Sequence, residues 1–232
     1  MKLRPLAAVL AVAALSGCAG AGAGGGGRAT VWVTRDQGAH VLLVRTVPAG
    51  LTAMQGLERV ADVKTRYGGR FVEAIDGVEG SLSRQRDWFY FVNGYEADRG
   101  AAEYRLHDGD VEWWDYRPWK HAFHVPVVVG AFPEPFLHGF DGKRRPAVIL
   151  SDAAMRSEAR GLAVRLRARL QRPGSKVRDD ANVLVLRCPR GGHPGVVAGL
   201  RSGGGPGSPV WFRATCATNL GRVSRFRYSV GS

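Results

Sequence analysis

The chain is poor in the residues that usually announce chemistry: 3 cysteines, 3 methionines and 6 histidines stand among 232 residues. It contains no G-x-S-x-G, H-E-x-x-H, C-x-x-C or phosphate-cradling G-x-x-x-x-G-K-S/T pattern, which excludes the motifs of the common hydrolase, zinc-protease, thiol-redox and nucleotide-binding loops. A chain that is not an enzyme is therefore expected. Two weaker patterns have simpler readings. His121 and His124 could share a metal with Glu134 or His138, but the stretch "KHAFH" reads as a linking segment and no metal is expected. Asp108 and Asp110 flank Gly109 as turn residues do.

Long apolar runs are missing beyond the first 17 residues, so no later segment is expected to cross a membrane. The opening "MKLRPLAAVLAVAALSG" has a basic start at Lys2 and Arg4, an apolar run from Leu6 to Leu15 and small residues at its end, the pattern of an export signal. Because "LSG" leads directly into Cys18, residues 1–17 read as a lipoprotein signal, with lipid attached to the Cys18 thiol. An ordinary secretory signal is the alternative, and both send the chain out of the cytoplasm. "AGAGAGGGG" at 19–27 has nothing to pack and reads as a flexible tether, so residues 18–29 form a lipidated cysteine and its leash. Outside the cytoplasm the remaining Cys188 and Cys216 suggest one disulfide, with two free thiols as the alternative.

Acidic residues are scarce overall, 20 against 33 Lys and Arg, and the shortage is local. Residues 28–117 hold 12 Lys and Arg against 14 Asp and Glu, whereas residues 118–232 hold 19 against 6. A basic half outside the cytoplasm suits anionic lipid headgroups or an anionic partner. Nucleic acid is not expected as a partner, because the cations are not interleaved with stacking aromatics.

Strand-like stretches occur at 30–35, 41–47, 70–76, 87–92 and 110–116, with one short helix expected over 52–63, where Thr52 and Gln55 have capping-box spacing. In the second half, 124–132 and 146–151 read as strands, and a helix is expected from Ser151 or Asp152 to about Leu170, with Met155, Ala159, Leu162, Leu166 and Leu170 on one stripe. "NVLVLRC" and "PVWFRATC" read as further strands around a surface loop, "RSGGGPGSP". The fold class expected is α+β: a sheet grasping one helix over residues 30–118, then a basic α+β domain over 119–232.

Ten of the chain's 21 Phe, Tyr and Trp fall between residues 88 and 119. In "DWFYFV", Trp88 and Tyr90 point to one face of a strand and Phe89 and Phe91 to the other. One short helix can cover only one face. The other would expose rings of about 150–250 Å² each, more than soluble monomers usually leave bare. Three covers are open at this point: the second half of the chain, a flat ligand, or a protein partner.

"GRFVEAIDGVEG", "DWFYFVNGYEADRGAAEYRLHDGD" and "VEWWDY" resemble the C-terminal β-rich domain of transcobalamin and intrinsic factor, a β-grasp-like module also found in bacterial surface lipoproteins. The resemblance spans about residues 30–118. It implies non-covalent capture of a small ligand, cobalamin or a related tetrapyrrole, in service of a membrane transporter permease. Carried over residue by residue, it implies Trp88, Tyr90 and Asn93 as ligand contacts; Tyr95 departs from the small or acidic residue usual there and is added as a contact from the clustering of aromatic rings. No catalytic cofactor is implied. The alternative is a protein-interaction or envelope-assembly module with no small ligand.

Overall fold

The computed structural model describes residues 26–120, 122–223 and 225–229; the signal, Cys18 and most of the tether lie outside them. Among the described residues no helix is long and apolar enough to cross a membrane.

Two β-branched runs, β1 (Arg28–Arg35) and β2 (His40–Pro48), pair antiparallel. Helix α1 (Ala53–Glu58) follows, and Thr52 and Gln55 form the reciprocal capping box expected of them, with hydrogen bonds of 3.2 and 3.0 Å. The helix is half the length expected. Val60 and Ala61 both donate to the Leu57 carbonyl, which closes the helix in tight turns, and the chain enters β3 (Val63–Arg66). Tyr67, Gly68 and Gly69, all at positive φ, turn β3 into β4 (Phe71–Ile75), which pairs with β5 (Val78–Glu79). Strands β6 (Arg86–Val92), β7 (Tyr95–Glu96) and β8 (Val111–Pro118) complete the first half. Asn93 and Gly94, both at positive φ, make the β6–β7 turn. The main sheet runs β2-β1-β8-β6-β7, with β1 and β8 parallel at its centre, the β-grasp arrangement.

Residues 124–132 do not form the strand expected there. Pro126 has no N–H to offer a ladder, so pairing is reduced to one bridge between Tyr95 and Val127, followed by a 3-10 turn over Val129–Ala131. The second sheet comes from β9 (Ala147–Ser151), α2 (Arg156–Arg165), β10 (Arg169–Gln171), β11 (Asn182–Arg187), β12 (Gly195–Leu200) and β13 (Val210–Thr215), with a last helix α3 (Leu220–Val223). Its order is β10-β9-β11-β13-β12, parallel except for the antiparallel edge β12.

Helix α2 is shorter at both ends than its stripe suggested. Asp152 caps the turn before it by accepting from Met155 N at 3.0 Å, while its other oxygen accepts from Cys188 N at 2.9 Å. The residue is thus tied to the sheet rather than seated at the helix start. At the far end the chain turns through Arg167, and Leu170 joins β10 instead of the helix. Met155, Ala159, Leu162 and Leu166 are buried as the stripe requires.

The molecule is α+β with several sheets. One buried cluster runs through both halves, joining Trp32, Phe91 and Trp113 to Val128, Phe136, Leu184 and Phe212. A boundary at residue 118 therefore separates the sheets but not the core.

Candidate functional site

Alternation along the strands sorts the aromatic rings as expected. One face of the main sheet carries Val31 and Val33, with Trp114 paired to Tyr90 and Tyr116 to Trp88, and is covered by α1 and by β5. Trp88 Nε1 donates to Val78 O at 2.8 Å and Tyr116 Oη donates to Glu79 O at 3.0 Å. The opposite face carries Trp32, Trp113, Phe91 and Phe89. Its cover is the second half of the same chain: Val125 to Ala131 lie in the shared core, Phe123 packs edge-on against Phe89, and the C-terminal segment returns to set Phe226 on Trp32 at 4.5 Å and Tyr228 on Trp113 at 5.3 Å. Tyr228 Oη also donates to Asp115 at 2.7 Å, and that carboxylate accepts from Thr34 Oγ1, Gln37 N and Gly38 N as well. Of the three covers open from sequence, the chain's own second half occupies this face.

The four expected contact residues are consequently not laid out for a ligand. Trp88, Asn93 and Tyr95 are 6%, 0% and 1% exposed, and the half-buried Tyr90 stacks on Trp114 with centroids 4.8 Å apart. None of the four lines the cavities described below. Three of them instead brace main chain beside one cleft. Tyr90 Oη donates to Arg99 O at 2.7 Å, Asn93 Nδ2 to Gly139 O at 3.0 Å, and Tyr95 Oη to Ser208 O at 2.7 Å. Burial raises the phenol pKa of Tyr90 and of Tyr95, so both stay protonated and able to donate.

That cleft, about 510 Å³, lies where the β6–β7 end of the first sheet meets the second half. Its walls are the Asp98–Arg99 loop, residues 140–146 leading into β9, Asp180 near the start of β11, and residues 206–208 leading into β13. The second half thus contributes the amino ends of its parallel strands. Their carboxyl ends are joined instead by the disulfide between Cys188, just after β11, and Cys216, just after β13.

The cleft mixes both signs of charge. Arg99 is held by Asp98 at 2.8 Å and lies 3.7 Å from Asp141. Arg145 donates to the carbonyls of Gly207 and Asp180, fixing two walls to each other. Lys143 makes no ion pair among the described residues, which leaves a solvated cation on the rim. Phe140 is buried beneath, edge-on to Tyr95 at 5.7 Å. Such a lining offers hydrogen-bond donors and acceptors side by side, which suits a polar ligand carrying amides or opposed charges. Sequence reasoning missed these residues. "EADRG" and "DGKRRP" were visible as charged loops, but their adjacency arises only when the two halves pack.

The histidines fall into separate pairs. His124 meets Glu96 at 2.9 Å and His138 meets the buried Glu134 at 2.6 Å, while His121 lies outside the described residues. Among the described residues no three His, Cys, Asp or Glu are grouped to hold an ion. The Glu134 carboxylate raises the His138 pKa, with smaller contributions from Asp110 and Asp108. Glu112 is fully buried with one oxygen on Trp114 Nε1 at 2.6 Å and the other without a partner among the described residues, and burial holds its carboxyl well above the usual range.

Comparison with known proteins gives three findings. The sequence pattern of a domain of unknown function, DUF4430, matches residues 50–117. A crystal structure described as a candidate metal binding protein from Ruminococcus gnavus ATCC 29149 is similar at 20% identity, over 40% of this chain and 97% of that one, with a TM-score of 0.33. A crystal structure of haptocorrin in complex with Cbi is similar at 16% identity, over 38% of this chain and 25% of that one, with a TM-score of 0.32. The chain thus spans about a quarter of the haptocorrin it matches. No curated protein matches.

Proposed function

We propose that this chain is an extracytoplasmic lipoprotein, held to the membrane through Cys18, that captures a small polar ligand non-covalently in the cleft between its two halves and hands it to a membrane transporter permease. The carrying observation is the cleft itself. Its volume is within the range of small-molecule sites, its walls come from both halves, and Tyr90 and Tyr95 hold those walls through hydrogen bonds to Arg99 O and Ser208 O, with Asn93 bonded to Gly139 O beside them. Catalysis is not part of the proposal. A corrinoid is the first ligand to test: its amide-bearing rim matches a lining of mixed donors and acceptors, and the sequence of residues 30–118 resembles the cobalamin carriers. The cleft would take the edge of such a ligand rather than its face.

Calorimetric titration of the full chain with cobalamin and with cobinamide tests this. Binding is expected, weakened roughly tenfold by Arg99→Ala or Lys143→Ala, the loss of about one charge-assisted hydrogen bond. A flat trace at micromolar ligand removes the corrinoid.

One observation favours a second reading, a protein-interaction module. Strand β2 is a sheet edge with Val41 and Leu42 each 47% exposed, and an open apolar edge is a template for an added strand. A membrane pull-down abolished by Val41→Lys with Leu42→Lys, without any corrinoid heat, would favour it.

A further inference from the structure

A second cavity, about 340 Å³, shares Pro146 with the cleft wall and lies beside β9 and β10 and the loop leading into β11. Arg167, Arg169, Lys176 and Arg178 line it, and no carboxylate side chain does. Arg178 is committed to Asp180 through two hydrogen bonds, 2.9 and 2.6 Å. Arg167, Arg169 and Lys176 form no ion pair among the described residues. Low-dielectric walls of one sign focus the field and concentrate counter-ions.

Two local features mark the wall of this cavity. Arg167 follows the end of α2 at φ +47°, a left-handed position where helices ordinarily place glycine. The chain accepts an unfavourable backbone there and keeps a guanidinium at the cavity wall. Gln171, also on the wall, has its side-chain oxygen buried and without a partner among the described residues. Turned about its last torsion, that amide presents N–H donors instead.

The geometry points to a site for a phosphate-bearing anion, held by the Arg167 and Arg169 guanidinium forks, the Lys176 ammonium and the Gln171 amide. Planar guanidinium groups match phosphate oxygens two at a time, and the ammonium adds a point charge. The phosphate could arrive free in solution or as the headgroup of an anionic lipid. This site goes beyond the cleft, and its measurements can fail without touching the corrinoid titration.

The full chain carrying Cys18→Ser, so that no lipid is attached, is titrated calorimetrically with pyrophosphate and sedimented with vesicles of phosphatidylglycerol or phosphatidylcholine. Heat with pyrophosphate assigns a free anion; sedimentation with phosphatidylglycerol alone assigns a headgroup. In either case Arg167→Ala with Arg169→Ala is expected to weaken binding roughly tenfold or more. Arg156→Ala with Arg160→Ala, which removes the same charge from α2 away from the cavity, is expected to leave binding unchanged. Silence in both arms, or equal loss in the two double variants, overturns the site. Should circular dichroism show the first variant unfolded, Lys176→Glu in the exposed loop replaces it, with the same loss expected.

Discussion

The two halves solve the same packing problem with opposite materials. The first sheet is close to charge-balanced and buries wide aromatic rings on both faces, so it needs two covers: α1 with β5 on one side, and borrowed chain from residues 122–132 and 226–228 on the other. The second sheet is built of narrower aliphatic strands, Ala147–Ser151 and Asn182–Arg187, in parallel order, and keeps its many cations outside. A sheet of large rings cannot be sealed by its own short helix, whereas aliphatic strands close with one helix and a few loops. The first half therefore depends on the second for its cover. The shared core and the cleft both follow from that dependence.

The sharpest way to break this comparison is Trp113→Ala. Trp113 is fully buried against Trp32, Phe91 and the returning Tyr228, and its truncation is expected to cost about 3–5 kcal/mol. If the halves depend on each other, thermal melts followed by near-ultraviolet and far-ultraviolet dichroism will shift together; two separated transitions would mean that the second sheet stands alone. Next in size is the second half's own brace. Cys188→Ser with Cys216→Ser opens a bridge between residues 28 apart in sequence and is expected to cost about 3–4 kcal/mol on the chain-entropy model. Urea unfolding should show the midpoint falling, by the same amount that reduction of the parent chain produces.

Tyr95→Phe removes the 2.7 Å hydrogen bond to Ser208 O that ties the halves across the cleft. A loss of about 1–2 kcal/mol is expected, together with faster amide exchange in residues 206–208; unchanged exchange would show that the hydroxyl does not hold the wall. The smallest effect concerns His138, whose pKa Glu134 raises. A raised histidine contributes stability in full below its unfolded value, about 6.5, and loses it as pH climbs through the folded value. Stability should therefore decline as pH rises above about 6.5 in the parent chain and less steeply in His138→Gln, as read from melting temperature against pH.

Much of the fold was legible. The β1 and β2 runs, the Thr52–Gln55 capping box and the alternation in "DWFYFV" declare themselves because each is a local contest of propensity and period. Short elements such as β3, β5 and β10 were not legible, since pairing with neighbours rather than their own composition makes them strands. The apolar run at 124–132 misled for the same reason: its hydrophobicity serves as a lid, and Pro126 denies it a ladder. For the candidate site, "DWFYFVNGY" supplied Tyr90, Asn93 and Tyr95, which stand beside the cleft and hold main chain rather than line it. A buried aromatic with a polar tip looks the same in sequence whether the tip meets a ligand or the backbone of a neighbouring loop.

The sequence by itself determined the elements whose period and capping are local, the excess of rings on two strand faces, and the separation of a nearly balanced half from a basic one. Only the tertiary structure decided that the rings are sealed by the chain's own later residues, that Tyr90, Asn93 and Tyr95 brace a cleft instead of lining it, and that charged loops far apart in sequence share its walls. The reason is physical. Burial and hydrogen-bond partnership belong to the space between elements, and that space exists only once both halves have packed.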